Sequence, residues 1–471
     1  MSNLPCYFCR SLFTSDYTVR GARVSDPWFG GHHGSETRAT KNRLQAGSCI
    51  QRSRHQRQSG FALVLTLALL ALLVLALYAL SALVRVNGQI STTGLYQTQA
   101  KQNALLGLNV AFSELQRHAG EDSRITGMAG LTGIAANAGN NTRHWCGVWD
   151  ASGNLITWLT SGAPTTGPAA LPVSVTPIEL VAAGSVGAAA ANSEHVIAGK
   201  IPIVVTETPG APGVAATVGH YAYLVSDEGV KISAYAPSTE LRIIGVRPLL
   251  TSTVATSAQG KLRAAVSTYA GKLPAVLAYE QLALLPTPAS ALTPSVFQDN
   301  FHHATLTTLS VAGSQNFTGT INLNTTSAIV WRSILETYNS APSVTPMSSA
   351  NLTARGNAIA NGFAATSSGK SANAPFTSVA AFGASALLAS NLPAPIAPSD
   401  FMAAIGPMLT VRSDTFRIRA YGEAVNPVDG TKTEAVAYCE AIVQRTSDLA
   451  PNGLGRKFII IHFRWLGPDE I

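Results

Sequence analysis

The sequence predicts an α+β chain in which one long N-terminal helix, apolar in its first half and amphipathic in its second, packs on a mainly antiparallel β domain. Three observations carry this expectation. Residues 61–84 (FALVLTLALLALLVLALYALSALV) are 24 consecutive positions without a charge, a Gly or a Pro, enough to cross the hydrocarbon core of a bilayer as one helix. The following stretch to His118 has no Pro and keeps a helical period. Near the C-terminus, three runs of strand-forming residues alternate with turn chemistry.

The basic surplus sits ahead of the apolar run. The chain of 471 residues carries a formal charge of +7, and residues 1–60 hold nine Lys/Arg (Arg10, Arg20, Arg23, Arg38, Lys41, Arg43, Arg52, Arg54, Arg57) against Asp16, Asp26 and Glu36. The rest is near balance, with 23 basic and 22 acidic residues. Lys and Arg beside a membrane helix stay on the cytoplasmic side, so the surplus reads as topology and not as a nucleic-acid surface. The expectation is a single-pass inner-membrane protein with a cytoplasmic N-terminus and a periplasmic or extracellular C-terminal region. Charged residues make up only 12% of the chain, low for a cytosolic protein.

The domain reading follows from these flanks: a basic leader over 1–60, a membrane segment over 61–84, an amphipathic extension over 85–120, and an exported α+β domain over 121–471 with a variable insertion at about 241–410. In the extension, Leu105, Leu108, Phe112 and Leu115 fall at 3-4-3 spacing and mark one apolar stripe. A continuous helix from Phe61 to His118 would be roughly 85 Å long at ~1.5 Å per residue. Gly88 and Gly94 weaken it locally and suggest a joint.

A cleaved secretory signal would have a shorter apolar core, ~7–15 residues, and an accessible small-residue site; here the core is longer and the only passable site, Ala79-Leu80-Ser81, lies deep within it. A plain signal anchor fits the length. The junction Ser59-Gly60-Phe61-Ala62-Leu63-Val64, a basic leader ending in Gly followed by Phe and an unbroken apolar helix, resembles the type IV prepilin class, which includes the pseudopilins of type II secretion. That resemblance implies cleavage after Gly60, methylation of Phe61 by a prepilin peptidase, and assembly through the helix. It implies other pilin-like subunits, the inner-membrane assembly machinery and membrane lipid as partners, with no nucleic acid and no cofactor. A leader of sixty residues is longer than the class carries, so the expectation is an extended leader or a start at Val24 or Leu44. The fifth position after the junction is Leu65, where most pilins carry Glu; in this respect the chain is similar to large K-type minor pseudopilins and to pilus-associated minor pilins. A buried, unpaired carboxylate is costly, and Leu65 removes both that cost and the docking attraction, which implies a minor or capping subunit.

Past Gly120 the chain turns to short strands. His144 to Trp158 reads as strand, turn, strand, and Tyr221 to Ala236 as a hairpin about Asp227-Glu228-Gly229. Residues 241–410 carry helical fragments inside Ser/Thr/Ala/Pro-rich stretches, notably Ser340 to Asn373, a composition of decorated loop or low-complexity insertion. Thr415–Val425, Glu434–Gln444 and Lys457–Leu466 are three strands of an antiparallel sheet, joined by Asn426-Pro427-Val428-Asp429-Gly430 and Pro451-Asn452-Gly453. The pieces YAYLVSDEGVKISAY, FRIRAYGEA, YCEAIVQR and FRWLGPDEI resemble the verrucomicrobial Verru_Chthon cassette protein A family of pilin-like proteins. With the junction, they span about a third of the chain.

Side chains capable of chemistry form no recognisable catalytic pattern, and a non-enzymatic protein is expected. Cys6-Tyr7-Phe8-Cys9 lacks a second ligand pair for zinc, and Cys49 stands alone. Cys146 and Cys439 are either a disulfide closing the exported domain or two buried thiols. Ala364 to Ser371 (AATSSGKS) satisfies a relaxed phosphate-loop pattern without the preceding strand. Ser385 in Gly383-Ala384-Ser385 lacks the second Gly of a nucleophile elbow. His302-His303, near Asp299, diverge as neighbours on one element; His144, His195, His220 and His462 are scattered; Asp227-Glu228 reads as a solvated turn. The expectation is no metal site. The competing readings are a membrane-anchored binding or adhesion protein and an exported hydrolase without a recognisable motif.

Overall fold

The computed structural model describes residues 59–133, 141–208, 211–233, 260–262, 264, 293–305, 321–339, 341, 343–364, 366–367, 370–371, 375–426, 429–430 and 432–471. They fall in two compact units, Met1–Ala76 and Leu77–Ile471. The described part of the first unit is helix, its side chains from Phe61 on exposed. One unbroken helix, α1 (Ser59–Ala119), runs through both Gly88 and Gly94.

The second unit is built on a five-stranded sheet. Its strands are β6 (Ile201–Thr208), β7 (Ala211–Asp227), β14 (Thr415–Val425), β15 (Thr433–Leu449) and β16 (Arg456–Leu466), in the order β16-β15-β14-β7-β6, every neighbour antiparallel. The three C-terminal strands therefore form where the sequence expects them, with β15 extended at both ends. Smaller pairs surround this sheet. β1 (Ile125–Met128), β2 (Cys146–Trp149) and β3 (Leu155–Trp158) make an antiparallel meander, and β4 (Pro177–Val181) pairs with β5 (Val196–Gly199).

Among the described residues, up to Ser233, the hairpin expected over Tyr221 to Ala236 is not seen. β7 ends at Asp227, the chain turns, and β8 (Ile232–Ser233) pairs in parallel with β9 (Ala304–Thr305). The reason is local: Glu228 and Lys231 of the turn are buried and paired to each other at 2.6 Å, so the turn is driven inward instead of reversing at the surface. Residues 234–236 lie outside the described residues.

Within the span 241–410, where helical fragments inside decorated loop or a low-complexity insertion were expected, the described residues from 293 on include packed helices. Ile321–Asn322 (β10) pairs in parallel with Leu409–Thr410 (β13). Between them lie α2 (Ala328–Asn339), α3 (Ser349–Ala364) and α4 (Pro398–Ile405). Trp331, Ile334, Leu335, Ile359, Phe363, Phe382 and Phe401 are sealed inside this layer. Trp331 stacks on Phe363 at 5.5 Å and meets Phe382 at 5.3 Å. The composition hides this core because Ala, Ser and Asn fill the outward positions, leaving a few large apolar residues to carry the burial.

The central strand β14 is buried on both faces along its whole length. Phe416, Ile418 and Ala420 point toward α1. Arg417 and Arg419 point the other way, where Glu440 receives Arg417 Nη1 at 3.1 Å, Arg419 Nε at 2.9 Å and Arg464 Nε at 3.0 Å. Glu228 takes Arg417 Nε at 3.0 Å. Phe301 lies under both guanidinium groups and under Lys231, its ring 5.4, 4.8 and 5.0 Å from them. A buried charge is tolerated only when paired, and this face pairs each of these.

Candidate functional site

Two parts of the molecule concentrate features beyond packing: α1 and a buried histidine cluster. Within the second unit, α1 lies on the sheet through Ala100, Ala104, Leu108, Ala111, Leu115 and Ala119, every one sealed from solvent. The apolar stripe named from the sequence is thus turned by part of a helical step. Leu108 and Leu115 are at its centre, whereas Leu105 and Phe112 flank it, only partly buried. The alanines let the backbones approach closely. A side chain on Gly422 of β14 would overlap the main chain of Ala100 and Ala104, so helix and strand meet backbone to backbone at these two alanines.

Amide side chains stitch the helix down. Asn103 Nδ2 donates to the Glu423 carbonyl at 2.8 Å and Gln99 Nε2 to that of Val218 at 3.1 Å. Gln116 donates to the carbonyls of Leu454 (3.0 Å) and Arg456 (2.8 Å), and its Oε1 accepts from the Phe458 amide at 2.9 Å. At the helix end, Arg445 Nη2 donates to the Gly120 carbonyl at 2.7 Å and pairs with Asp122. The Arg445 guanidinium, with Arg456 and Arg412, outweighs the opposing effect of burial and holds the Asp122 carboxyl at about 2.

At the N-terminal end of α1, Gly60 lies within the first helical turn and the side chains of Phe61 and Leu65 are exposed. The exposed apolar series continues through Leu83 and Val84 to Ile90 and Leu95. α1 is long and apolar enough to cross a membrane. Among the described residues no other helix meets that test.

Cys146 and Cys439 are both free and buried, in the same apolar cluster beneath α1. The disulfide alternative is therefore not realised. Cys439 Sγ donates toward the Ala104 carbonyl at 3.9 Å and Cys146 Sγ toward that of Gly147 at 3.8 Å. Burial raises the Cys146 thiol well above its ordinary range and pushes Cys439 up to about 12. Cys6, Cys9 and Cys49 lie outside the described residues.

The decoy motifs resolve structurally. Thr366–Ser367 (β11) and Lys370–Ser371 (β12) pair with each other as a two-stranded ribbon, not as a strand-loop-helix cradle. Ser385 caps the short helix Ala386–Asn391: its Oγ accepts from the Leu388 amide at 3.2 Å and donates to the Phe382 carbonyl at 2.6 Å. Asp227 and Glu228, read as a solvated turn, are buried. Burial would raise the Glu228 carboxyl, but Arg417 and Lys231 outweigh it and hold it at about 2.

The histidines are where sequence reasoning missed an arrangement. His144 precedes β2, Glu194 closes the short turn Asn192–Glu194 ahead of β5, and His302 lies in the turn between the helix Pro294–Gln298 and β9. These three bring one nitrogen or carboxylate oxygen each within 4.8 Å of one another. The His144 Nε2–Glu194 Oε2 distance is 3.0 Å, and His302 Nε2 lies 2.8 Å from the Glu194 carbonyl oxygen. The two rings stack at 3.6 Å between centroids with 5° between planes. Arg143 Nη1 holds the other carboxylate oxygen at 3.3 Å. His303 turns away to Ser327 Oγ at 2.9 Å, so the neighbouring pair does diverge, as expected. A cleft of about 450 Å³ opens beside the cluster, walled by Glu194, Gln298, Asp299, His302 and His303 among others.

Electrostatics keep these rings neutral. Burial lowers His144 against the opposing pull of Glu194. Burial lowers His302 far below its usual range, helped by His144 and Lys231, and holds His303 at about 4. Burial would raise Glu194, but the hydrogen bond from His144 and the Arg143 charge outweigh it and keep the carboxyl ionised. His144 Nε2 therefore carries its proton and donates to the ionised Glu194 carboxylate, while His302 Nε2 donates to the Glu194 main-chain carbonyl, which can only accept. No local signal in the sequence joins positions 144, 194 and 302, because only the tertiary fold brings three separate turns together.

No family model, curated protein or solved structure matches this chain.

Proposed function

We propose that this protein is a structural, prepilin-like minor subunit, cleaved after Gly60 and assembled through α1 into a type IV pilus or a type II secretion pseudopilus. The observation that carries the reading is the division of labour along α1. Its first half exposes an uninterrupted apolar surface from Phe61, while its second half is clamped to an antiparallel sheet by small residues and amide hydrogen bonds. In a membrane the first half is stable in lipid, and in a filament it exchanges lipid contacts for those of neighbouring helices. Leu65, with no carboxylate to meet a neighbour's N-terminal amine, fits a minor or capping position.

The test is co-expression with a prepilin peptidase, followed by N-terminal sequencing and mass measurement. A mature chain beginning at methylated Phe61, lost in Gly60→Ala, is the expected result. A mature chain that keeps residues before Phe61 in the presence of active peptidase leaves α1 a plain membrane anchor.

A further inference from the structure

Beyond assembly, we propose that His144, Glu194 and His302 form a binding site for one divalent first-row transition-metal ion of the zinc type, entered from the adjoining cleft. Three segments, far apart in the chain, converge on one point with two imidazoles and one carboxylate. Two nitrogens and one oxygen are a donor set that suits zinc and its neighbours and not calcium or magnesium, which require oxygen cages.

Arg143 occupies one oxygen of Glu194 and leaves the other toward His144. His144 Nε2, 3.0 Å from that oxygen, is the nitrogen that would meet the ion, exchanging its hydrogen bond for coordination.

The stacked rings set a condition on binding. In-plane lone pairs of two parallel rings 3.6 Å apart run side by side and cannot meet at one ion at ordinary zinc–nitrogen distances of about 2.0–2.1 Å. One ring must turn out of the stack. His302 is the one with room, since it lines the cleft. Metal binding and ring stacking are therefore mutually exclusive, and the ion trades the His302–Glu194 main-chain hydrogen bond for coordination.

The experiment uses the full chain in detergent with Cys6, Cys9 and Cys49 replaced by Ser, to remove other soft ligands. The protein is stripped with chelator and titrated with Zn²⁺ or Co²⁺. Expected are one ion retained per chain after gel filtration, a Co²⁺ visible spectrum of low coordination number, and a Zn²⁺-dependent rise in melting temperature. His302→Gln and His144→Gln each abolish all three responses, whereas His195→Gln keeps them. Absence of a retained ion, or retention unaffected by both variants, overturns the proposal. A pair serving packing alone would show variants that melt lower with no dependence on metal, which also overturns it.

Discussion

Gly422 of β14 and Ala104 of α1 are in backbone-to-backbone contact: any side chain at 422 would occupy the space of the Ala104 amide nitrogen. Cys439, on the strand beside β14, directs its thiol to the carbonyl of the same alanine. The helix-on-sheet interface is therefore set by the absence of a side chain at one position, and the neighbouring contacts depend on it.

Gly422→Ala should separate helix and sheet and cost about 1–3 kcal/mol or more, as overpacking of a closed interface does. Gly430→Ala, at a position with open space around it, is the control. Thermal melts of the two variants decide the matter, and equal midpoints would falsify the close-contact reading.

Gln116 satisfies two carbonyls and one amide of the segment entering β16. Gln116→Ala should destabilise by about 1–3 kcal/mol, the usual cost of leaving partly buried groups unpaired. Hydrogen exchange at the Phe458 amide should accelerate in the variant. An unchanged rate would mean that the strand holds its position without the helix.

Glu440 serves three guanidinium groups with no access to water. Glu440→Gln should cost about 3–5 kcal/mol, because it strands buried cations. Restoring neutrality through Arg419→Met in the same chain should recover part of the loss. Chemical denaturation of the single and double variants measures this coupling; simple additivity would count against a shared network.

Acid should unfold the second unit in two overlapping stages. His303, neutral and held at about 4 in the fold, takes up its proton more readily when unfolded, near 6.5, so its stabilising contribution is complete above 6.5 and declines as pH falls toward 4. Glu228, at about 2 in the fold against 4.5 unfolded, contributes fully above 4.5 and loses that contribution as pH falls toward 2. His144 and His302, lowered by burial in the same way, share the upper stage, so His303→Gln should reduce that stage without removing it and leave the lower one unchanged. Melting temperatures recorded from pH 7 to 3 test the order of the two stages.

Both thiols of the second unit should resist modification in the native protein. Burial lifts Cys146 and Cys439 away from the thiolate form, the reactive species. Peptide mapping after maleimide treatment should find them labelled only in denaturant. A linked Cys146–Cys439 peptide under non-reducing conditions would contradict the free-thiol arrangement.

Sequence alone was enough for the apolar run from Phe61, its helical continuation, and the three C-terminal strands. Each of these is a periodic or compositional pattern confined to one stretch of chain. The stripe on α1 was legible only in part. Leu108 and Leu115 announced themselves by hydrophobicity, but Ala100, Ala104 and Ala111 matter through smallness, which has meaning only against Gly422. Alternation on β14 separates Arg417 and Arg419 from Ile418, yet it does not say that the charged face is buried as well. That was decided by Glu440, Glu228 and Phe301 arriving from elsewhere. The helical layer over 328–405 was masked by Ala and Ser on its outer positions. The cluster of His144, Glu194 and His302 has no sequence signature, because its spacing is a property of three turns meeting in space. Local order follows from short-range pattern; close approach, charge pairing and convergent donors depend on contacts between residues distant in the chain, which only the folded structure supplies.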